Sequence, residues 1–292
     1  MTTAHHGKAF HGGEHYQNFP VGSWLVPKKI RGAVLTLYRF ARTGDDLADE
    51  GELAPDDRIA GLQSLRDGLA GRPSQNQADL WAIGQALAQA LQLHGVPTAW
   101  ADDLLEAFIR DVRHAPMTDE AAVLDYCRYS AAPVGRLVLG LSGLISADGR
   151  PQELLKASDA ICTGLQLANF AQDMGQDVGR GRFYFPKNWW PDGWVPKHGA
   201  DGLHQSDAAA LSARMAGWAL SLLDQGSELP RAIRLSQCQG RLRLAMEIAI
   251  TIEGGRAIAR QVLDNLAAVW SRSPRLSKAQ LAMVVLRAFR LI

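Results

Sequence analysis

Apolar residues recur at three- and four-residue spacing along most of this chain. DLWAIGQALAQALQLHG (Asp79 to Gly95) and the stretch from Gln152 to Val178 show it most clearly. That period predicts helices with one buried stripe. Breakers at Pro55-Asp56, Gly71-Arg72-Pro73, Gly95-Val96-Pro97, Pro116, Gly149-Arg150-Pro151, Pro230 and Pro274 divide the pattern into about ten helices. Alternating strand patterns are nearly absent. NWWPDGWVPKHGADG (Asn188 to Gly202) is too rich in Pro, Gly and Trp for a regular element and reads as a loop. No repeat of fixed period appears, which argues against a solenoid, and no stretch has linker composition. The expectation is a single all-α domain spanning residues 1–292, a large helical bundle, with residues 1–15 as a solvated tail.

Several helices are apolar around most of their circumference, among them Leu137 to Leu141 and Ile161 to Leu167. Such segments are buried in a large bundle or line an apolar cavity. Gly135, Gly140, Gly143, Gly164 and Ala168 recur in them. Small residues there allow close helix packing, the commoner reason, or leave room for a bulky apolar ligand.

Composition narrows the partners. Lys plus Arg number 31 against 30 Asp plus Glu, a formal charge of +1, so no basic face for nucleic acid is expected. Cys127, Cys162 and Cys238 are odd in number and far apart. They fit neither a disulfide framework nor zinc spacing, which favours a reducing, cytoplasmic compartment. The first twenty residues lack the apolar core of a signal peptide. No run of about 18 uncharged apolar residues is present to span a bilayer. Four of the histidines (His5, His6, His11, His15) sit near the N-terminus, more simply a solvated tail than a metal site. Trp189, Trp190 and Trp194 either cap the bundle or dip into a bilayer surface, where amphipathic aromatics prefer to lie.

Two acidic clusters carry the candidate chemistry. In YRFARTGDDLADE, Asp45 and Asp49 are four apart, which on a helix puts their carboxylates about 6 Å apart on one face. Like charges at that spacing repel by roughly 0.2–0.5 kcal/mol unless neutralised. In LQLANFAQDMGQDVGRGRFYFP, Asn169, Asp173 and Asp177 lie at i, i+4 and i+8, with Gln166 one turn earlier. A lone acidic run is most often a solvated helix end. Two matched stripes at the ends of apolar helices instead suit hard divalent cations, because magnesium takes one or two carboxylates together with phosphate oxygens and water. Tyr38 and Arg42 share the face of Asp45, and Arg180 and Arg182 follow the second stripe. Guanidinium groups there suit phosphate oxygens.

These residues carry a family likeness. Tyr38-x3-Arg42-x2-Asp45-x3-Asp49, then Tyr126-Cys127-Arg128-Tyr129-Ser130-Ala131-Ala132-Pro133-Val134-Gly135, then Gln166-x2-Asn169-x3-Asp173-x3-Asp177 and GRFYFP resemble the squalene/phytoene synthase family of head-to-head prenyl transferases. Asn18-Phe19 with Leu25-Val26-Pro27 is similar to the family's opening, and the likeness runs from about Tyr16 to Ser277. The wording is nearest a bacterial hopanoid-pathway subgroup. The chain departs from the family pattern at Asn18 (for Ser), Pro133, Gln172 (often Arg) and Gly255 (often Tyr).

The resemblance implies an isoprenoid synthase fold around a deep apolar cavity with both Asp motifs at its mouth. It implies magnesium as cofactor, held by Asp45, Asp49, Asp173 and Asp177. Arg42 and Arg182 would stabilise a departing diphosphate, and Tyr126 would orient a terminating water or relay a proton. Asn18, Phe19, Tyr38, Gln166, Asn169 and Tyr184 would contact substrate, and Tyr126, Tyr129, Phe170 and Phe19 would face a carbocation. For the subgroup, a C30 prenyl diphosphate (presqualene diphosphate) loses diphosphate, rearranges and captures water to give hydroxysqualene. The membrane surface or neighbouring pathway enzymes would be partners, for a cytoplasmic protein peripheral to the inner membrane. The alternatives are condensation of two prenyl diphosphates to presqualene diphosphate, squalene or phytoene, and a non-catalytic interaction protein on the same fold. A chain-elongating prenyl transferase would need a second DDxxD, and a di-iron bundle would need Glu-x-x-His pairs; neither motif is present.

Overall fold

The computed structural model describes residues 25–48, 53–73, 77–113, 116–148, 150–194, 201–266 and 268–292, and the backbone of Asp49. Among them the protein is all-α, with no strand. The helices are α1 (Arg31–Asp49), α2 (Pro55–Leu69), α3 (Ala78–Leu93), α4 (Ala99–Arg113), α5 (Glu120–Ser130), α6 (Ala132–Leu141), α7 (Gln152–Gly179), α8 (Gln205–Gln225), α9 (Leu229–Leu235), α10 (Arg241–Asp264) and α11 (Lys278–Ala288). Single 3-10 turns lie at Lys187–Trp189 and Ala268–Trp270.

The breakers act as their chemistry requires. Pro55 opens α2 rather than interrupting it, with Asp56 and Asp57 in the first turn facing the positive end of the helix dipole. The Asp119 carboxylate caps α5 by accepting from the Ala122 amide at 2.9 Å. Ser277 and Gln280 form a reciprocal capping box at the start of α11. Pro133 sits in the first turn of α6, where its missing N–H costs nothing.

Helix α1 packs on α2, α3, α4 and α6, whereas α7 packs on α5, α6, α8, α9 and α10. One apolar core joins α1–α4 and α6, around Phe40, Leu62, Leu87 and Leu105. Two others gather on α7, one toward α5 and α8, the other toward α9 and α10. The space left between α1 and α7 is where the two acidic stripes meet. Close crossings depend on glycine. A Cβ at Gly68 would overlap the Trp81 carbonyl of α3, and one at Gly84 the Leu65 carbonyl of α2. On α7, a Cβ at Gly164 would lie 2.9 Å from Leu223 Cγ of α8. Gly164 therefore serves packing, the commoner of the two expectations.

The tryptophan loop caps the bundle. Trp194 is buried and stacks with Phe185. The Trp189 Nε1–H donates to Glu120 at 2.6 Å while Arg214 lies 4.0 Å over its ring. Trp189 and Trp194 are thus packed against the bundle, as the capping expectation has it. The N-terminal histidines and residues 1–15 lie outside the described residues.

Candidate active site

Tyr38, Ala41, Arg42 and Asp45 recur every three or four residues along α1 and line one side of a cavity of about 560 Å³. Gln166, Asn169, Asp173 and Asp177 do the same along α7 on the other side. The two sequence stripes thus face one space, as the family resemblance implies. Arg42 is held at the mouth by its neighbours, with Nη1 3.4 Å from Asp45 and Nη2 2.6 Å from Asp46. Asp46 thereby helps position Arg42. The side chain of Asp49 and residues Asn18 and Phe19 lie outside what is described.

The end of α7 delivers two more cations. Gly181 adopts φ +76°, a conformation side chains rarely take. The Arg182 amide folds back onto the Asp177 carbonyl at 2.8 Å. The tight turn brings both Arg180 and Arg182 to the cavity. Both are the guanidinium groups that Arg-Gly-Arg after the second stripe offers in the sequence.

An aromatic wall closes the cavity. Phe170 and Tyr184 stack with centroids 4.5 Å apart, and Tyr126 lies 6.0 and 5.7 Å from them. The Tyr126 hydroxyl donates to both oxygens of Asp111, at 2.9 and 2.8 Å, and the Tyr184 hydroxyl to one of them at 3.3 Å. Burial first, then the Asp111 charge, pushes the Tyr126 phenol well above its ordinary value. It therefore stays protonated. Sequence reading missed Asp111 because FIRDVRHAP resembles a solvated helix end. Its register on α4 was legible, since Leu104, Phe108 and Asp111 share a face and all line the cavity. Tyr129, expected to face a cation, is not among the lining residues; Arg110 and Arg128 lie over its ring at 4.1 and 4.8 Å.

A narrower apolar space of about 220 Å³ continues from this one, sharing Ser130, Val134 and Gln166 and reaching Val138, Ile161 and Ile248. Polar side chains line most of the mouth, so the deep apolar cavity is built mainly in this extension. Gly135 both lines it and lets α6 approach α7, since a Cβ there would lie 2.7 Å from Cys162 Sγ. At Gly255 a Cβ would meet Leu165 at 2.6 Å and Leu223 at 3.2 Å. Those leucines fill the room a larger side chain would need. Gln172 is buried and donates to the Pro274 carbonyl at 2.7 Å, tying α7 to the segment before α11.

Asp45, Asp173 and Asp177, with the neutral oxygens of Gln166 and Asn169, form a hard-oxygen donor set that fits magnesium. Among the described residues no three acidic, His or Cys side chains converge into a self-sufficient metal cluster. Magnesium needs none when phosphate oxygens and water complete its octahedron.

With this geometry in place, comparison with known proteins decides the family. The model of the squalene/phytoene synthase family matches residues 13–280. The chain belongs to that family. A hydroxysqualene synthase from Sinorhizobium fredii is 34% identical over 250 residues, 85% of this chain and 72% of that protein. One from Rhodopseudomonas palustris is 36% identical over 238 residues, 80% and 75%. A phytoene synthase from Cereibacter sphaeroides is 32% identical over 61% of this chain and 50% of that protein. Among solved structures, squalene synthase HpnC from Alicyclobacillus acidocaldarius matches with TM-score 0.65 and 31% identity, covering 85% of this chain and 88% of that one. The protein has the squalene synthase-like isoprenoid synthase fold and is a prenyl transferase-type enzyme of isoprenoid biosynthesis. Membership in an enzyme family sets aside the reading as a non-catalytic interaction protein. No helix among the described residues is long and apolar enough to cross a membrane.

Proposed function

We propose that this chain is a hydroxysqualene synthase. It takes presqualene diphosphate, releases diphosphate, lets the cyclopropylcarbinyl cation rearrange, and closes with water. The observation that carries this reading is the single cavity with carboxylates and guanidiniums from α1 and α7 at its mouth and an apolar extension behind. The identity to relatives named hydroxysqualene synthase supports it.

In this reading Arg42 and Arg182 donate charge-assisted hydrogen bonds to the diphosphate, which are shorter and stronger than neutral ones. Asp45, Asp49, Asp173 and Asp177 would hold magnesium, which supplies charge neutralisation to the leaving group. Tyr38, Gln166 and Asn169 orient the substrate head, together with Asn18 and Phe19 of the N-terminal segment. The faces of Phe170 and Tyr184 attract the cation, an interaction worth roughly 0.5–2 kcal/mol. Tyr126, kept as a neutral phenol with its hydroxyl on Asp111, helps place the terminating water and offers the cation no phenolate to trap it. The hydrocarbon lies in the apolar extension, out of reach of bulk water. Residues 1–292 act as one domain in this reading, supported by the helix contacts that run from α1 to α11.

A second reading, condensation of two prenyl diphosphates, has its own support in the phytoene synthase likeness and in the HpnC structure described as a squalene synthase. Incubation with farnesyl diphosphate and magnesium separates the two. A hydroxysqualene synthase leaves farnesyl diphosphate untouched and consumes presqualene diphosphate. Release of diphosphate from farnesyl diphosphate alone would contradict the proposal.

The enzyme would work in the cytoplasm against an anionic membrane surface, where its apolar substrate and product reside. Residues 265–292 carry five cations (Arg272, Arg275, Lys278, Arg287, Arg290) and no acid. On α11, Leu281, Met283, Val285, Leu286 and the adjoining Phe289 are all exposed. Apolar side chains among cations without acids fit the boundary of an anionic bilayer.

A further inference from the structure

The Tyr126–Asp111 pair stands between two cavities. On its other side lies a second space of about 420 Å³, lined by Arg110, Arg113, Met117 and Phe183, while Asp111, Tyr126, Arg182 and Tyr184 line both. Both tyrosine hydroxyls donate to Asp111, which makes its carboxylate the acceptor at this junction. The other acids lining the main cavity, Asp45, Asp173 and Asp177, sit on the α1 and α7 stripes with the arginines. Asp111 belongs instead to the aromatic wall, on α4.

We propose that Asp111 is the base that accepts the proton of the water that ends the reaction. The inference rests on the reading that the cation is captured by water. A lone pair of the water oxygen forms the C–O bond. One O–H bond then breaks, its electron pair staying on oxygen and its proton passing to the Asp111 carboxylate. The product is a neutral alcohol, and the proton leaves to solvent through the second cavity before the next turnover. Without an acceptor the adduct is an oxonium, a good leaving group that reverts to the cation. The cation then loses a C–H proton to give an olefin. Arg110, Arg113 and Arg182 line the second cavity beside Asp111. Asp111 on this account is catalytic, while Tyr126 and Tyr184 are positioning residues that fix its oxygens.

The test is Asp111→Asn, which keeps an oxygen to accept from the tyrosines and removes the basic one. Purified variant and wild type are mixed with presqualene diphosphate and magnesium, with diphosphate release and organic products quantified from the same samples. General-base catalysis contributes about 10²–10⁴-fold, so the ratio of alcohol to olefin should fall at least about tenfold while diphosphate release stays within about fivefold. An unchanged ratio would overturn the inference. So would a fall in diphosphate release that parallels the fall in alcohol, since that places Asp111 with the leaving group or in the scaffold. Tyr126→Phe is the companion, and decides the matter should the Asn variant not fold. With the carboxylate intact but its oxygens less firmly held, the alcohol share should fall by less than about tenfold, and a larger collapse with diphosphate release retained would make Tyr126 the water's partner instead. Wild-type protein that yields no alcohol at all overturns the functional reading together with this inference. Wild-type alcohol with an indifferent Asp111→Asn overturns this inference alone.

Discussion

Asp173→Asn separates chemistry from folding at the carboxylate mouth. Asp173 and Asp177 are four apart on α7 and face the Asp45 side of one cavity. Two like charges at that spacing destabilise a helix by about 0.2–0.5 kcal/mol. Asn and Asp have nearly equal helix propensity, so the substitution should leave stability unchanged or raise it by a few tenths of a kcal/mol. For a chain of this size that is a shift of less than about 2 °C in melting temperature. Catalysis should respond very differently. Losing a group that only orients a ligand costs about 10–100-fold. Losing a ligand to a Lewis acid worth roughly 4 kcal/mol costs about 10³-fold, at 1.36 kcal/mol per decade. Diphosphate release from presqualene diphosphate should therefore fall at least about 10²-fold, with the magnesium dependence moved to higher concentration. The assay is phosphate-coupled release beside a thermal melt of the same preparation. A variant that keeps more than a tenth of the activity with unchanged magnesium dependence would refute the metal assignment. One that melts many degrees lower would show Asp173 to be structural.

Three other predictions probe separate parts of the account. Tyr126 is an acid whose folded value lies above its unfolded value near 10. Its contribution to stability is therefore complete below about pH 10 and declines as pH rises beyond it; spectrophotometric titration should show one of the five tyrosines ionising only with unfolding, and its ionisation in the native protein with the rest would contradict the buried pair. Gly84→Val puts a side chain into the Leu65 carbonyl at the α2–α3 crossing, an overpacking expected to cost about 3 kcal/mol or more; denaturant midpoints check it, and a neutral result would mean that the crossing is looser than described. Wild-type protein should float with vesicles containing anionic phospholipid and not with purely zwitterionic ones, and Leu286→Glu with Phe289→Glu should abolish this; flotation on both, or self-association through α11 in sedimentation, would refute the lipid surface.

The helices and the two acidic stripes were legible because both express a short-range rule. A period of 3.6 places Asp45 with Tyr38 and Arg42, and Asp173 with Gln166 and Asn169, whatever the rest of the chain does. Which stripe faces which, and across what, depends on contacts 128 residues apart (173 − 45), and there the family resemblance supplied what periodicity could not. Asp111 escaped because its meaning lies in two tyrosines from other segments, 15 and 73 positions away. Tyr129 was misread for the converse reason. Three residues after Tyr126 its spacing puts it near the same face of α5, but Arg110 and Arg128, the former from another helix, cover its ring and it does not reach the cavity. The glycines divide similarly: Gly181 is a turn signal readable in Arg-Gly-Arg, whereas Gly164 and Gly255 gain their role only from leucines on other helices.

The most direct test is the product itself. Purified protein is incubated with presqualene diphosphate and magnesium, with and without a reduced nicotinamide, in water enriched in oxygen-18, and the extract is analysed by mass spectrometry. The account predicts hydroxysqualene carrying one heavy oxygen, formed equally in both arms. Squalene formed only when the nicotinamide is present, with no labelled alcohol in either arm, would contradict it.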